Sequence, residues 1–369
     1  MVPLARAVSR RGHDVLWAVG TEGLPAVERA GIRAVAVTAG IVVGPALVWE
    51  RYPEIKALPP PDQPAMMFGK LFGAIIAPLM LAELVELVAG WRPDLVVCDA
   101  AELAGHIVAA ELGVPSVTKG FGPLLPAPRV AAAGDEVAPL WRSRGLEPRP
   151  FGGMYETLYI DPYPPLLQDQ GAAYVPHRQH IRPERDDGEC HQDAPVPMPN
   201  EPADAPLVYL TMGTVFNDTR PLRMALEALS SLHVRVLVTV GPNADPGVLG
   251  DQPANVRVER YVPQSAVFAS CDVVVSHGGS GTVLGALEAG LPQLCLPQGA
   301  DQFLNAPLVA AAGAGLALSP NACNVQSIAG SVRRLLSESS FRAQAGRVSE
   351  SIASMPSVDD VAAVLETLS

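Results

Sequence analysis

Short runs of branched apolar residues alternate along the chain with amphipathic stretches of helical period. The first apolar run, residues 15–19, lies between two amphipathic stretches, residues 2–11 and 22–30, and a second run follows at residues 34–37. Short apolar runs bounded by turn residues are typical of strands buried in a parallel sheet. The stretches between them have the period of crossover helices. The alternation therefore predicts an α/β fold with parallel sheets and helices on both faces.

The alternation is interrupted once by a stretch rich in proline and acidic residues. Residues 183–206 have the composition of an interdomain linker, and apolar runs resume directly after them. We therefore predict a first domain over residues 1–182, a second over residues 207–350, and a final helical segment over residues 351–369.

Residues 40–81 fit neither pattern, and we predict that they are mainly irregular. Their methionine and phenylalanine side chains, Met66, Met67, Phe68 and Phe72 among them, could line an adaptable apolar pocket or simply pack a loop against a helix. The most apolar window, residues 71–87, is interrupted by a proline and two glutamates. On that ground we do not expect it to span a membrane.

Composition and net charge indicate which kinds of binding partner and which cellular compartment to expect. The 369 residues suffice for two domains, and the net charge of −12 argues against nucleic acid or an anionic membrane as the main partner. The five cysteines are scattered and odd in number, which does not suggest a disulfide framework. No signal peptide is recognisable, so we expect a cytoplasmic protein.

A glycine-rich stretch, residues 276–282 with the sequence SHGGSGT, stands between an apolar run at residues 273–275 and a helical stretch that ends at Gly290. A glycine-rich turn between a strand and a helix N-terminus can bind an anion, because free backbone N–H groups and the helix dipole face it. The turn could also be an ordinary connection. Neither G-x-G-x-x-G nor G-K-[ST] is present in it.

The sequence after this turn favours a binding site. Residues 291–296 form another short apolar run, and the acid–amide pair Asp301 and Gln302 follows. Taken together, residues 277–282, 290–293 and 301–302 resemble the donor-binding signature of nucleotide-sugar glycosyltransferases. These are inverting enzymes with two Rossmann-like domains (GT-B), and the resemblance is closest to bacterial members that glycosylate antibiotics and other natural products.

The resemblance implies a reaction and a set of site residues. The donor would be a dTDP- or UDP-sugar bound in the second domain without a metal ion, in agreement with the absence of a D-x-D motif. The acceptor would be an apolar small molecule between the domains, lined in part by residues 40–81. The last helix would cross back to the first domain, and a homodimer is possible. The nucleotide diphosphate is assigned to Thr214, Tyr261, Val262, Gln264, His277, Gly279, Ser280, Gly281 and Thr282, and the sugar to Asp301 and Gln302.

Two of these assignments have alternatives. Tyr261 matches an aromatic residue that stacks on the nucleotide base, but it could instead be a core residue at a strand end. Asp99 ends a predicted strand and matches a catalytic aspartate that orients a histidine general base. Asp99 could instead cap a helix over residues 100–111. His106, on that helix, is expected in the core.

In the resembled family a strand and a loop ending in Gly-His-x-x-Pro precede the helix that opens this chain, and the histidine of that loop is the general base. The first strand of the first domain and the base are therefore both expected to be missing from this sequence. We expect either that the start of the sequence is set too late or that the protein lacks the usual base. His13 lies in a turn at the opposite edge of the predicted sheet and is not expected to be catalytic. The residues His177, His180, Cys190 and His191 fit no standard zinc spacing.

Two other functions remain possible from the sequence. A sugar-nucleotide epimerase has the same two-domain fold but needs acids and bases within the donor site. A non-catalytic nucleotide-sugar-binding protein would need no base.

Overall fold

The structure is a computed structural model of the chain. It describes residues 1–38, 44–168, 172–184, 196, 198–199, 204–213, 220–241 and 244–368. The chain forms two compact units. Unit 1 comprises Met1–Tyr163, Asp169–Asp186 and Met355–Ser369, and unit 2 comprises Pro164–Gln168 and Asp187–Ser354.

The described strands are β1 (Trp17–Gly20), β2 (Ala34–Val37), β3 (Val96–Asp99), β4 (Ser116–Lys119), β5 (Leu158–Asp161), β6 (Arg178–His180), β7 (Leu207–Thr211), β8 (Arg235–Thr239), β9 (Val256–Glu259), β10 (Val273–Ser276), β11 (Gln293–Cys295) and β12 (Gly315–Ala317). The described α-helices are α1 (Val2–Arg10), α2 (Leu24–Arg29), α3 (Pro45–Arg51), α4 (Pro53–Lys56), α5 (Gln63–Phe68), α6 (Ala77–Gly90), α7 (Ala104–Leu112), α8 (Ala127–Ser143), α9 (Pro165–Gln168), α10 (Arg220–Ser230), α11 (Gln264–Phe268), α12 (Ser280–Glu288), α13 (Gln302–Ala311), α14 (Val325–Ser337), α15 (Ser339–Ala353) and α16 (Val358–Glu366).

Every described strand pairing is parallel. Unit 1 contains the pair β1-β2 and a four-stranded sheet in the order β3-β4-β5-β6. Unit 2 contains a six-stranded sheet in the order β12-β11-β10-β7-β8-β9, with an apolar core on each face. The predicted fold class, α/β with parallel sheets in two domains, is confirmed.

The C-terminal helix α16 belongs to unit 1, where it packs along α1. Leu4 and Ala7 on α1 share an apolar cluster with Val361 and Ala362 on α16, and all four are buried. α1 ends before Gly12, whose φ of +97° is readily adopted only by glycine. Burial of this shared apolar stripe is the main stabilising term between the two helices.

The prediction of a mainly irregular stretch over residues 40–81 is wrong. α5 and α6 are joined by the π-helical segment Gly69–Ile76 into one helix, Gln63–Gly90. Gly73 permits close approach of α8, because a Cβ there would lie 2.8 Å from the Glu136 Cβ. The interrupting proline, Pro78, lies where the π-helical segment passes into α6, and the helix continues through it. Helix propensity along the chain did not reveal this tertiary packing.

The same helix contains residues 71–87, which we do not expect to span a membrane. Within the described residues, Gln63–Gly90 is long and apolar enough to cross a membrane by length and composition, with 39% of its most apolar window buried. Buried core helices of globular domains meet the same two criteria. Phe68 and Leu71 are buried, whereas Met66 is 43% exposed.

Candidate functional site

The strand order of unit 2 reverses between β7 and β10, which are neighbours at the centre of its sheet. In open parallel sheets, ligands bind beyond the carboxyl ends of the strands at this reversal. The segment Met212–Gly213 follows β7, and the glycine-rich turn follows β10. The topology therefore brings the predicted donor-binding motif to the position in the sheet where a nucleotide site is expected.

His277 lies at this point with its ring against two glycines. A Cβ on Gly213 would lie 2.7 Å from the His277 Nε2, and one on Gly279 would lie 2.4 Å from the same atom. The buried Nδ1 makes no hydrogen bond with any described group. Burial lowers the pKa of His277, and the Asp301 charge opposes this only partly. The site thus holds a neutral imidazole with an unsatisfied ring nitrogen, which is a group suited to a polar ligand.

The N-terminus of α12 follows directly, with Gly279 in the N-cap position. The Ser280 amide and hydroxyl both donate to Asp301 Oδ2, at 3.2 Å and 2.5 Å. An internal carboxylate therefore satisfies part of the helix end, which the sequence pattern did not indicate. The amides of Gly281 and Thr282 make no hydrogen bond with a described acceptor. A Cβ on Gly281 would meet no atom within 4 Å.

The two residues of the acid–amide pair, Asp301 and Gln302, differ in solvent exposure. Asp301 is partly exposed, whereas Gln302 is 2% exposed. Gln302 Oε1 accepts hydrogen bonds from the backbone amides of Gln298, at 2.7 Å, and Gly299, at 3.1 Å. The Gln302 oxygen is therefore engaged in shaping the loop before α13, and its amide nitrogen is the part left for a sugar contact.

The predicted base-binding residues lie around the start of α11. Tyr261 is 52% exposed, so it is not the core aromatic residue that the alternative required, whereas Val262 is buried. Gln264 donates from Nε2 to Thr282 Oγ1 at 3.1 Å, which connects α11 to α12. Thr214 lies outside the described residues.

Asp99 in unit 1 ends β3 at the carboxyl edge of its sheet. Its Oδ1 accepts from the Ala101 amide at 3.0 Å, but α7 begins only at Ala104 and is capped by Glu102. The helix-cap alternative for Asp99 is therefore wrong. Burial raises the pKa of Asp99, and the Ala101 hydrogen bond and the nearby Lys119 charge partly oppose the rise.

Sequence reasoning missed Lys119. It ends β4 in register with Asp99, so the two side chains leave the same face of neighbouring strands. Burial lowers the pKa of Lys119, while Asp99 and Asp161 raise it. Its Nζ donates to the Gly120 carbonyl at 3.0 Å. The signal that could have found it is its position, since both residues close apolar strands of one parallel sheet.

Two histidines of unit 1, His106 and His13, make contacts within the fold. His106 is 1% exposed, its Nδ1 lies 2.9 Å from Ser116 Oγ, and its Nε2 lies 3.2 Å from Thr118 Oγ1. Burial lowers the pKa of His106 to about 4. It therefore lies in the core as expected and does not contact Asp99. His13 is exposed and contacts Glu366.

In the described part of the chain, no three His, Cys, Asp or Glu side chains form a group able to hold a metal ion. His180 donates from Nδ1 to the Tyr163 carbonyl. Cys190 and His191 lie outside the described residues.

Residues 223–368 match the family model described as erythromycin biosynthesis protein CIII-like, C-terminal domain, and residues 64–137 match the model of the N-terminal domain. The L-demethylnoviosyl transferase of Streptomyces niveus is 31% identical over 373 residues, covering 96% of this chain and 91% of that protein. The chain belongs to the EryCIII-like glycosyltransferase family.

A second relative and a solved structure are similar over nearly the whole chain. The elloramycin glycosyltransferase ElmGT of Streptomyces olivaceus is 30% identical, with 99% of this chain and 93% of that protein covered. The spinosyn rhamnosyltransferase SpnG superposes with a TM-score of 0.81 at 29% identity, covering 100% of this chain and 95% of that one. SpnG has been solved with thymidine diphosphate and with the spinosyn aglycone.

The family assignment confirms the resemblance read from the glycine-rich turn and the acid–amide pair. The chain is a GT-B glycosyltransferase whose relatives act on natural products.

Proposed function

We propose that this EryCIII-like glycosyltransferase moves a sugar from a thymidine- or uridine-diphosphate donor to a hydroxyl group of an apolar natural-product acceptor, with inversion at the anomeric carbon. The observation that carries the proposal is the His277 ring, which lies between two glycines at the strand-order reversal beside the N-terminus of α12. Thymidine diphosphate is the first nucleotide to test, because the similar protein SpnG binds it.

In this proposal the diphosphate lies against the His277 ring and the amides of Gly279, Gly281 and Thr282. The helix dipole and the imidazole stabilise the negative charge of the leaving nucleotide, and this replaces the role of a metal ion. Tyr261 stacks on the base, since its ring is half exposed at the start of α11. The backbone at Val262 and the side chain of Gln264 border the same nucleotide.

The sugar is assigned to Asp301 and Gln302. Asp301 is partly exposed beside the end of α12, and a carboxylate oxygen accepts well from a sugar hydroxyl. Gln302 contributes through its amide nitrogen, because its oxygen already binds two backbone amides.

Asp99 is assigned to acceptor activation in unit 1. Removal of a proton from the acceptor hydroxyl leaves a nucleophile that attacks the anomeric carbon on the face opposite the nucleotide, through an oxocarbenium-like state. A half-buried carboxylate beside Lys119 can orient a base and stabilise its protonated form. His106 is not that base, since both of its ring nitrogens already contact hydroxyl groups.

The test is a product assay. The purified protein is incubated with thymidine-diphosphate glucose or uridine-diphosphate glucose and a panel of hydroxylated aromatic and macrocyclic acceptors, with and without a chelator. Mass spectrometry should detect a glycosylated acceptor, the anomeric coupling constant in its NMR spectrum should show the inverted linkage, and the chelator should have no effect. Conversion of the donor into an altered free sugar nucleotide would indicate an epimerase instead. Tight donor binding without transfer or hydrolysis would indicate a binding protein.

A further inference from the structure

Asn305 is a buried side chain that joins the glycine-rich turn to the predicted sugar-binding carboxylate. It lies on α13, one helical turn after Asp301, and is fully buried. Its Nδ2 lies 2.8 Å from the Gly278 carbonyl, 3.0 Å from Ser280 Oγ and 3.1 Å from Asp301 Oδ2. One amide group therefore contacts both parts of the donor motif.

The two carboxylate oxygens of Asp301 differ in the hydrogen bonds that they accept. Oδ2 accepts from the Ser280 amide, the Ser280 hydroxyl and the Asn305 amide. Among the described residues, no donor is within hydrogen-bond distance of Oδ1. A carboxylate held through one oxygen has a defined plane, so the other oxygen has a defined direction.

The backbone before Asp301 supports the same conclusion. Ala300 has a φ of +52°, in the left-handed region that a non-glycine residue rarely adopts. Gly278, whose carbonyl accepts from Asn305, has a φ of +81°. The two turns that meet at the Asp301 carboxylate thus each contain a left-handed residue.

We propose that Asn305 is a positioning residue: it holds Asp301 so that Oδ2 closes the end of α12 and Oδ1 is presented to a hydroxyl group of the donor sugar. The inference rests on the proposed function, because it requires a sugar at Asp301. Asn305 itself does not contact the donor. Its effect through Asp301 concerns the sugar part of the donor, whereas its contacts with the Gly278 carbonyl and Ser280 affect binding of the sugar nucleotide and of the free nucleotide alike.

The experiment compares dissociation constants of thymidine diphosphate and thymidine-diphosphate glucose, by calorimetry, for the wild type and for Asn305→Ala, Asp301→Ala and the double variant. Asn305→Ala should weaken binding of the sugar nucleotide about tenfold more than binding of thymidine diphosphate, the loss expected for a hydrogen bond to a charged group. In the Asp301→Ala background, Asn305→Ala should change the ratio of the two dissociation constants by less than about twofold.

A shape-matched variant separates hydrogen bonding from packing. Asn305→Leu has a similar shape but carries no polar hydrogen, so it should lose as much as Asn305→Ala. Asn305→Ser retains one donor and should recover part of the difference between the two ligands. The serine variant also keeps the test valid if the alanine and leucine variants fold poorly.

Asn324→Ala is the matched control. Asn324 caps α14 in the same unit through a hydrogen bond from the Ser327 amide, so its loss should lower stability without changing the ratio of the two dissociation constants. An equal loss for both ligands in Asn305→Ala would overturn the positioning role, as would an undiminished loss in the Asp301→Ala background or wild-type binding by Asn305→Leu. If the wild type binds neither ligand, or if Asp301→Ala leaves the ratio unchanged, the proposed function fails instead.

Discussion

His277 illustrates how a single residue acquires a chemical role from its neighbours. Its ring is enclosed by backbone at Gly213 and Gly279, and its buried Nδ1 makes no hydrogen bond with a described group. An unsatisfied buried nitrogen costs about 1–3 kcal/mol, so a site that retains one gains when a ligand or an ordered water satisfies it. The adjacent amides of α12 favour an anionic ligand.

His277→Ala should weaken binding of thymidine diphosphate by about 10- to 100-fold, because a hydrogen bond to a charged group is lost. Binding of thymidine, which has no phosphate, should change by less than about twofold. Titration calorimetry measures both. His233→Ala, at an exposed histidine of the same unit, should leave both affinities unchanged. Equal losses for thymidine and thymidine diphosphate would contradict a phosphate role for His277.

His106 should make unit 1 sensitive to acid. Its pKa is about 4 in the folded protein, below the ordinary value of 6.5, because burial disfavours the charged ring. Between pH 6.5 and pH 4 the unfolded chain therefore binds more protons than the folded one, and stability falls as pH falls. The loss should reach about 3 kcal/mol at pH 4, from the 1.36 kcal/mol that corresponds to each pKa unit.

Chemical denaturation at a series of pH values measures this loss. The variant His106→Gln has no titrating group at this position, so its free energy of unfolding should fall less over the same range. Its transfer activity at pH 7.5 should remain close to that of the wild type, since His106 contacts only core hydroxyls. An identical pH slope in both proteins would show that other groups cause the acid sensitivity.

At the scale of elements, the connection between β10 and α12 is the part whose backbone is most restricted. Gly278 donates its amide to Ser276 Oγ, and Gly279 lies against the His277 ring. The turn has three residues, within which the chain reverses from the buried strand into the helix. It consequently places the ring and the first helical amides side by side.

Gly279→Ala should lower thymidine diphosphate affinity by about tenfold or more, because its Cβ would lie 2.4 Å from the His277 Nε2 and the ring would have to move. Gly330→Ala, on α14, is the matched control, since a Cβ there meets no atom within 4 Å. It should leave affinity unchanged and raise stability by about 0.5–1 kcal/mol. Calorimetry and thermal unfolding measure the two effects. Wild-type affinity in Gly279→Ala would show that the ring position is unimportant.

At the scale of the whole molecule, neither unit is one continuous segment of the chain. Pro164–Gln168 belongs to unit 2 although unit 1 precedes and follows it in sequence, and Met355–Ser369 belongs to unit 1. Unit 1 is therefore completed only by the last residues of the chain, through the packing of α16 on α1.

Val361→Asp should destabilise unit 1 by about 3 kcal/mol or more, because it buries an unpaired charge in the α1–α16 cluster. Peptides of unit 1 should exchange backbone hydrogens faster, and thymidine diphosphate affinity, assigned to unit 2, should change little. Val364→Asp, at a half-buried position of the same helix, should have a much smaller effect. Wild-type exchange rates in Val361→Asp would contradict the role of α16 in completing unit 1.

Much of unit 2 could be predicted because its signals are local. The apolar runs became β7, β8, β9, β10 and β11, and Gly290, with a φ of +67°, follows the end of α12. The glycine-rich turn and the acid–amide pair were sufficient to recognise the family, since a turn between a buried strand and a helix needs specific residues at specific spacings. These features depend on residues that are neighbours in sequence.

The tertiary structure alone decided features that depend on residues far apart in sequence. The helix Gln63–Gly90 packs against α8, and the partners of the His106 ring nitrogens are hydroxyl groups of β4. Within unit 2, Asn305 and Asp301 meet Ser280 only because the sheet places α12 and α13 side by side. The sequence by itself determined the strands, the turn and the family. The chemical state of each site residue depended on which distant groups folding brought within hydrogen-bond distance.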